Sequence, residues 1–365
     1  MACVLVFGAM LVFAAAGFGV QYLLWPSPIG LSSFNALHFE INYLDHGFVR
    51  RALVGTLFQA VPEAARTNAI VVFGWAVIAA LAALVTAVLH VLRRRMSGDS
   101  LRLLAMLWIA APWTFLNFGY DFARLDQLNL LLLAVSLWLV YRNRVIWLAL
   151  VSVFGLLIHE AYLFYGLTPV LAYGWVRYRA TSATIACRRL ALPIVAALTT
   201  LATIALIGRY ETGRARLIES LEPRLANPNH NALNVWLRSG LENPEYVVAR
   251  LGQGLFGALE LVAMAGMVLV TAAALVGLSY TNDRRPDPFL LSPLAVVPLF
   301  CFGIDYARWA GLIAILALVV VTTRLLDGKF YVQHGRHSAY LYGGLCLALL
   351  AGPLGTVHAL PLWGP

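Results

Sequence analysis

The chain has 365 residues, 61% of them hydrophobic and 12% charged, with a mean hydropathy of +0.79. A soluble domain cannot hide that much apolar surface, so lipid is the expected solvent. The formal charge of +9 does not point to nucleic acid, because the basic residues fall in short loops between apolar runs, where they read as a topology signal.

In chain order, "MACVLVFGAMLVFAAAGFGVQYLLW" lacks a basic leader and outruns the usual signal-peptide core of about 7–15 residues, so it reads as a retained first span, 2–25. Further helical spans are expected near 69–92, 101–117, 126–141, 145–159, 161–176, 190–208, 251–279, 289–304, 307–325 and 338–358. By length and hydropathy this makes about eleven transmembrane helices. The apolar runs do not alternate, which excludes a barrel. The expected fold is therefore an all-α, polytopic integral membrane protein. It forms one transmembrane domain over 1–365, with an outer loop at 26–68 and a longest outer segment at 209–250.

Orientation follows from charge. With the N-terminus inside, the inner loops are "RRRMSGDSLR", "RNR", "RYRATSATIACRR", "TNDRRPD" and "RLLDGKFYVQHGRH", which satisfies the positive-inside rule. Reading 145–176 as one broken helix would carry the last two outside and weaken that agreement. Nearly every acidic residue then lands on the outer side. Cys3, Cys187, Cys301 and Cys346 are scattered without metal spacing and read as small apolar fillers or a cytosolic-side thiol, not a disulfide framework.

The outward turns hold the chemistry. "GYDFARLD" (119–126) and "GIDYARWA" (303–310) repeat one pattern. On a helix, residues three apart share a face, so Asp121 would pair with Arg124 and Asp305 with Arg308. Each pair either anchors a helix end or brings an arginine fork to a phosphate. In "HFEINYLDHGFVRRALVG" (38–55), the stretch "FVRRALVGTLFQAV" alternates as an interfacial helix would, with Arg50 and Arg51 on its basic stripe. Asp45 is the first choice and Glu40 the second for a carboxylate that takes a proton from an acceptor hydroxyl; Asp121 is a third. "LIHEAYLFYG" places His159 and Glu160 in an apolar run. A zinc-protease motif needs a second His at 163, which is Leu. The pair is either packed and hydrogen-bonded to itself or binds phosphate and sugar. An aspartyl-protease dyad is disfavoured because an arginine beside each Asp lowers its pKa. His230 and Trp236 are candidates for holding sugar. A divalent cation, Mg or Mn, between Asp45 and Asp121 is a further expectation. Phosphate-binding glycine loops are missing.

This layout resembles the GT-C superfamily of membrane glycosyltransferases, which take sugars from polyprenyl-phosphate carriers: a first span, an acidic outer loop with a juxtamembrane helix, many further spans and outward polar chemistry. The resemblance implies a catalytic carboxylate in the first outer loop, here Asp45 within "NYLDHGFVRRALVG", or Glu40. It implies a lipid-linked sugar donor, a glycan, lipid or protein acceptor, and an extracytoplasmic active side on a bacterial inner membrane. The tight Asp-Glu or Asp-x-Asp pair usual in that loop is absent here. Polysaccharide polymerases and ligases share the plan, and for them Arg209, Arg214, Arg216 and Arg238 would form a pyrophosphate-binding element. A flippase or transporter of an anionic lipid or sugar is the rival class; it would need polar groups near the bilayer midplane.

Overall fold

A computed structural model of the chain describes residues 2–24, 31–222, 224–225, 232–238, 242–278, 287–328 and 352–355. The last expected span, apart from 352–355, lies outside these residues, as do most of the loops at 281–287 and 324–337, His230 and Cys346. The described residues are helical and contain no strand. In order they form α1 (Ala2–Leu24), α2 (Ser33–Glu40), α3 (Tyr43–His46), α4 (Leu53–Phe58), α5 (Glu63–Leu92), α6 (Gly98–Ala110), α7 (Phe115–Tyr120), α8 (Leu125–Tyr141) and α9 (Val145–Ile158). A π-helical turn (Leu163–Leu167) leads into α10 (Thr168–Arg179), followed by α11 (Ala183–Ile207), α12 (Arg214–Leu221), α13 (Asn234–Leu237), α14 (Asn243–Gly252) and α15 (Ala258–Leu278). Then come α16 (Pro288–Leu291), a 3₁₀ helix (Ser292–Cys301) and α17 (Tyr306–Leu326).

Among the described residues, five helical stretches are long and apolar enough to cross a bilayer: Cys3–Leu24, Glu63–Leu92, Gly98–Tyr120, Ala183–Ile207 and Tyr306–Leu326. The other expected spans that are described are shorter apolar helices, such as Leu125–Tyr141 and Val145–Ile158. Polar punctuation sets several boundaries. Pro112 and Thr114 separate α6 from α7, dividing the expected 101–117 span. Gly254 and Gly257 separate α14 from α15. Pro293 and Pro298 sit within the 3₁₀ stretch, where neither can donate a backbone hydrogen bond.

The chain divides into two compact units. The first comprises 1–26, 78–122 and 247–365. Here α17 is the buried element: 72% of its apolar window is inside the protein, against 17% for α1. Gly17 and Gly119 let α1 lie directly on α7. A Cβ on Gly17 would sit 1.8 Å from the Leu116 carbonyl oxygen, and one on Gly119 would sit 1.7 Å from that of Ala14. Trp108 donates its indole N–H to Thr322 at 3.3 Å, tying α6 to α17.

The second unit comprises 27–77 and 123–246. α8, α9, α10 and α11 pack side by side, and the short helices α2, α3 and α4 form a cap joined by α12 and α13. Leu37, Ile41, Val49 and Ala52 share one apolar core with Leu217, Leu221, Leu233 and Trp236. Large apolar side chains remain exposed on the long helices, among them Leu198 at 60% and Leu206 at 80%; such surface is stable only against lipid or a partner.

Candidate functional site

The second unit holds most of the expected site residues, four of them, Glu40, Asp45, Arg50 and Arg51, in its cap. Ser32 starts α2 by accepting the Asn35 N–H at 3.1 Å. Asn42 starts α3 in the same manner, its Oδ1 accepting the Asp45 N–H at 2.8 Å. Gly55 then lets α4 lie close on α2, because a Cβ there would meet the Ile41 carbonyl oxygen at 2.0 Å.

Asp45 therefore sits at the end of a four-residue helix with its side chain 39% exposed. Its Oδ2 takes two partners: the Asn42 amide at 2.9 Å and the Arg224 guanidinium at 2.8 Å. Among the described residues, Oδ1 takes none. The Asn42 hydrogen bond, and after it Arg224, holds the carboxyl below the usual aspartate range and outweighs the opposing effect of burial. His46 is buried behind it. His46 Nε2 lies 3.0 Å from Ser220 Oγ, whose hydroxyl also reaches the Leu217 carbonyl at 2.8 Å, and Nδ1 faces the Asn42 backbone, 3.1 Å from its carbonyl oxygen and 3.3 Å from its nitrogen. Burial, and with it Arg224, pushes the His46 pKa down, so the ring is neutral at pH 7.

Glu40, the second-choice base, is not open to an acceptor. It forms a buried ion pair with Arg66 at 2.8 Å, each side chain 8% exposed. Burial raises its pKa despite Arg66. Arg50 and Arg51 do not lie on an interfacial helix as expected: the helix begins at Leu53, and both occupy the preceding turn, with Arg51 in the left-handed region at φ 60°. That conformation aims Arg51 at Glu160, which it grips with two donors at 2.8 and 2.5 Å. Burial pushes the Glu160 carboxyl up, but Arg51, His159 and Arg50 outweigh it and hold it well below the usual range. His159 is buried, accepts the Ala161 N–H on Nδ1 at 3.1 Å and lies 3.8 Å from Glu160. Arg50 donates to the Arg238 carbonyl and lies in the fields of Arg51 and Arg209 on one side and Glu160 and Glu242 on the other. Its Nε is buried with no hydrogen-bond partner among the described residues. Trp236, expected to hold sugar, is fully buried and donates its indole N–H to the Arg50 carbonyl at 2.9 Å.

The repeated motif takes two forms. Asp305 precedes α17 and pairs with Arg308 across three residues at 2.7 Å, as expected. Asp121 and Arg124 do not share a helix face. Asp121 ends α7, Arg124 precedes α8, and Ala123 between them has φ 59°. Arg124 lies 3.4 Å from Asp126 and over the ring of Phe34 at 5.3 Å. Asp126 in turn accepts from Tyr165 at 2.8 Å. Asp121, Asp305 and Arg308 belong to the first unit, and Asp45 and Arg124 to the second. Among the described residues no group of three or more His, Cys, Asp or Glu side chains could hold a metal ion.

Sequence reasoning missed Asn42, Arg66, Ser220, Arg224 and the Asp126–Tyr165 pair. Asn42 was within reach, since Asn three residues before Asp is a helix-start spacing. The others are joined only by the fold.

Searches of curated proteins and of solved structures return no match. A family model described as "Uncharacterised membrane protein Rv1490" matches residues 3–235. That stretch covers more than half of the chain, from the first apolar helix through the Asp45 cap, and the chain accordingly belongs to the Rv1490 family of membrane proteins.

Proposed function

We propose that the chain is a membrane glycosyltransferase that moves a sugar from a polyprenyl-phosphate-linked donor to an acceptor hydroxyl on the extracytoplasmic side. The observation that supports this reading is the state of Asp45. Its Oδ2 is held by Asn42 and Arg224 while Oδ1 takes no partner among the described residues, on a partly exposed ionised carboxylate in the loop after the first apolar helix. In this reading Oδ1 accepts the proton of the acceptor hydroxyl as its oxygen bonds to the sugar's anomeric carbon. The bond from that carbon to the phosphate oxygen breaks, and the leaving phosphate keeps the electron pair. The arginine-rich turn at Arg50 and Arg51 supplies the opposing charge. Asn42 and Arg224 position the base, and Glu40–Arg66 and Arg51–Glu160 hold the cap.

The test uses the purified full chain in proteoliposomes with radiolabelled polyprenyl-phosphate sugars and a panel of glycan and lipid acceptors. Wild type is expected to transfer label, and Asp45→Asn to lose about 10²–10⁴ of the rate without losing donor binding. Full activity in Asp45→Asn refutes the assignment of the base. Donor movement across the bilayer without sugar transfer refutes the transferase reading and identifies a flippase.

A further inference from the structure

The opposite end of the same helices carries a second arrangement, independent of Asp45. Arg142 and Arg144 lie in and just after the α8–α9 turn, Arg177 and Arg179 close α10, and Arg188 and Arg189 lie near the start of α11. No Asp or Glu occurs between Asp126 and Glu160, or between Glu160 and Glu211. Six arginines therefore share one end of four packed helices without a carboxylate in the chain around them.

A topology signal needs only their charge, but four of these side chains are also held in place. Arg177 lies over the Tyr141 ring at 4.3 Å and donates to the Tyr141 carbonyl at 3.3 Å. Arg189 lies over Tyr178 at 5.0 Å and donates to Asn143 Oδ1 at 2.7 Å. Asn143 itself occupies the left-handed region at φ 54°, between Arg142 and Arg144. Arg142 lies over Trp138 at 5.9 Å, and Arg179 over Trp175 at the same distance. Four guanidinium groups, from Arg142, Arg144, Arg177 and Arg189, thus surround one short turn. Those of Arg142, Arg177 and Arg189 are stacked or tethered, and among the described residues none of the four is paired with a carboxylate. Planar guanidinium forks of this kind match phosphate oxygens.

The neighbouring surface indicates the source of the phosphate. Ile146, Trp147, Leu150 and Phe154 on α9 are 43–68% exposed, and Leu192, Val195 and Leu198 on the packed neighbour α11 are 46–60% exposed. An apolar strip therefore leads away from the arginines along the helices. A soluble phosphate has no use for it, whereas acyl chains do.

We propose that this arginine–aromatic end binds an anionic phospholipid, with its phosphate among Arg142, Arg144, Arg177 and Arg189 and its acyl chains along the α9–α11 strip. The experiment uses the full chain in neutral detergent, titrated with cardiolipin, phosphatidylglycerol or phosphatidylcholine. Native mass spectrometry counts retained lipid and tryptophan fluorescence follows thermal unfolding. Wild type is expected to retain the anionic lipids and unfold at a higher temperature with them, and to retain phosphatidylcholine far less. R142Q/R177Q/R189Q is expected to bind about a hundredfold more weakly, while the first-unit control R93Q/R94Q binds as wild type. If the glutamine variant fails to insert, R142K/R177K/R189K decides: it keeps the topology charge but loses the planar forks, and weaker binding is expected. Equal retention of phosphatidylcholine, undiminished binding by the lysine variant, or displacement of the lipid by millimolar pyrophosphate each overturns the proposal.

Discussion

Replacing Arg66 with Met tests whether Glu40 carries a buried charge. The two side chains meet at 2.8 Å and each is 8% exposed, so the variant leaves a carboxylate that neither water nor a cation solvates. Breaking a buried pair from one side costs about 3–5 kcal/mol. A second argument limits that cost: Glu40 can take a proton, and protonating an ordinary glutamate with a pKa of about 4.3 at pH 7 costs about 3.7 kcal/mol. The expected loss at pH 7 is thus about 4 kcal/mol. Burial already raises the Glu40 pKa in the intact pair, and removing Arg66 raises it further. The variant's folded state then keeps a proton that the unfolded chain releases. Its deficit should grow as pH rises above the glutamate range, by up to about 1.4 kcal/mol per unit, and be smallest near pH 5. Thermal or denaturant unfolding in detergent between pH 5 and 8 measures this, with E40Q/R66M as the second corner of the cycle; it should recover most of the loss. A deficit independent of pH would refute the reasoning.

Gly119→Val should prevent α1 from seating on α7 and abolish monodisperse protein on size-exclusion chromatography, whereas Gly8→Val, which meets only open space, should not. Ala123→Gly should relieve a left-handed residue and raise stability by about 1 kcal/mol in the same unfolding assay. Burial depresses the His46 pKa, so its contribution to stability is fully present above about pH 6.5 and is lost as pH falls through the lower folded value. His46→Gln should flatten that limb of the stability–pH profile.

The long apolar helices were legible because an uninterrupted run long enough to bury or span leaves few alternatives. The expected 126–141 and 307–325 are observed as Leu125–Tyr141 and Tyr306–Leu326. Errors fall where backbone chemistry changes within an apolar stretch. Pro112 splits one expected span, and 161–176 opens on a π-helical turn before α10. There Tyr162 packs so closely on Gly155 and Gly166 that a Cβ on either would overlap its ring. At the site, spacing located Asp45 and the nearby arginines but not their partners. Arg51 meets Glu160 across 109 positions and His46 meets Ser220 across 174, and no local pattern encodes such pairs. The helix-face reading of Asp121 and Arg124 fails through one dihedral: with Ala123 left-handed, the three-residue spacing no longer describes a helix.

The Arg50 N–H bonds the Gly208 carbonyl, the Trp236 indole bonds the Arg50 carbonyl, and the Tyr210 N–H returns to Trp236. This plait has a temporal consequence. Residues near 50 leave the ribosome roughly ten seconds or more before those near 236, at about 5–20 residues per second. The cap around Asp45 must therefore wait, with its tryptophan and two carbonyl partners not yet made, while the helices between are threaded into lipid, and it can only close as one of the last events of synthesis in that unit.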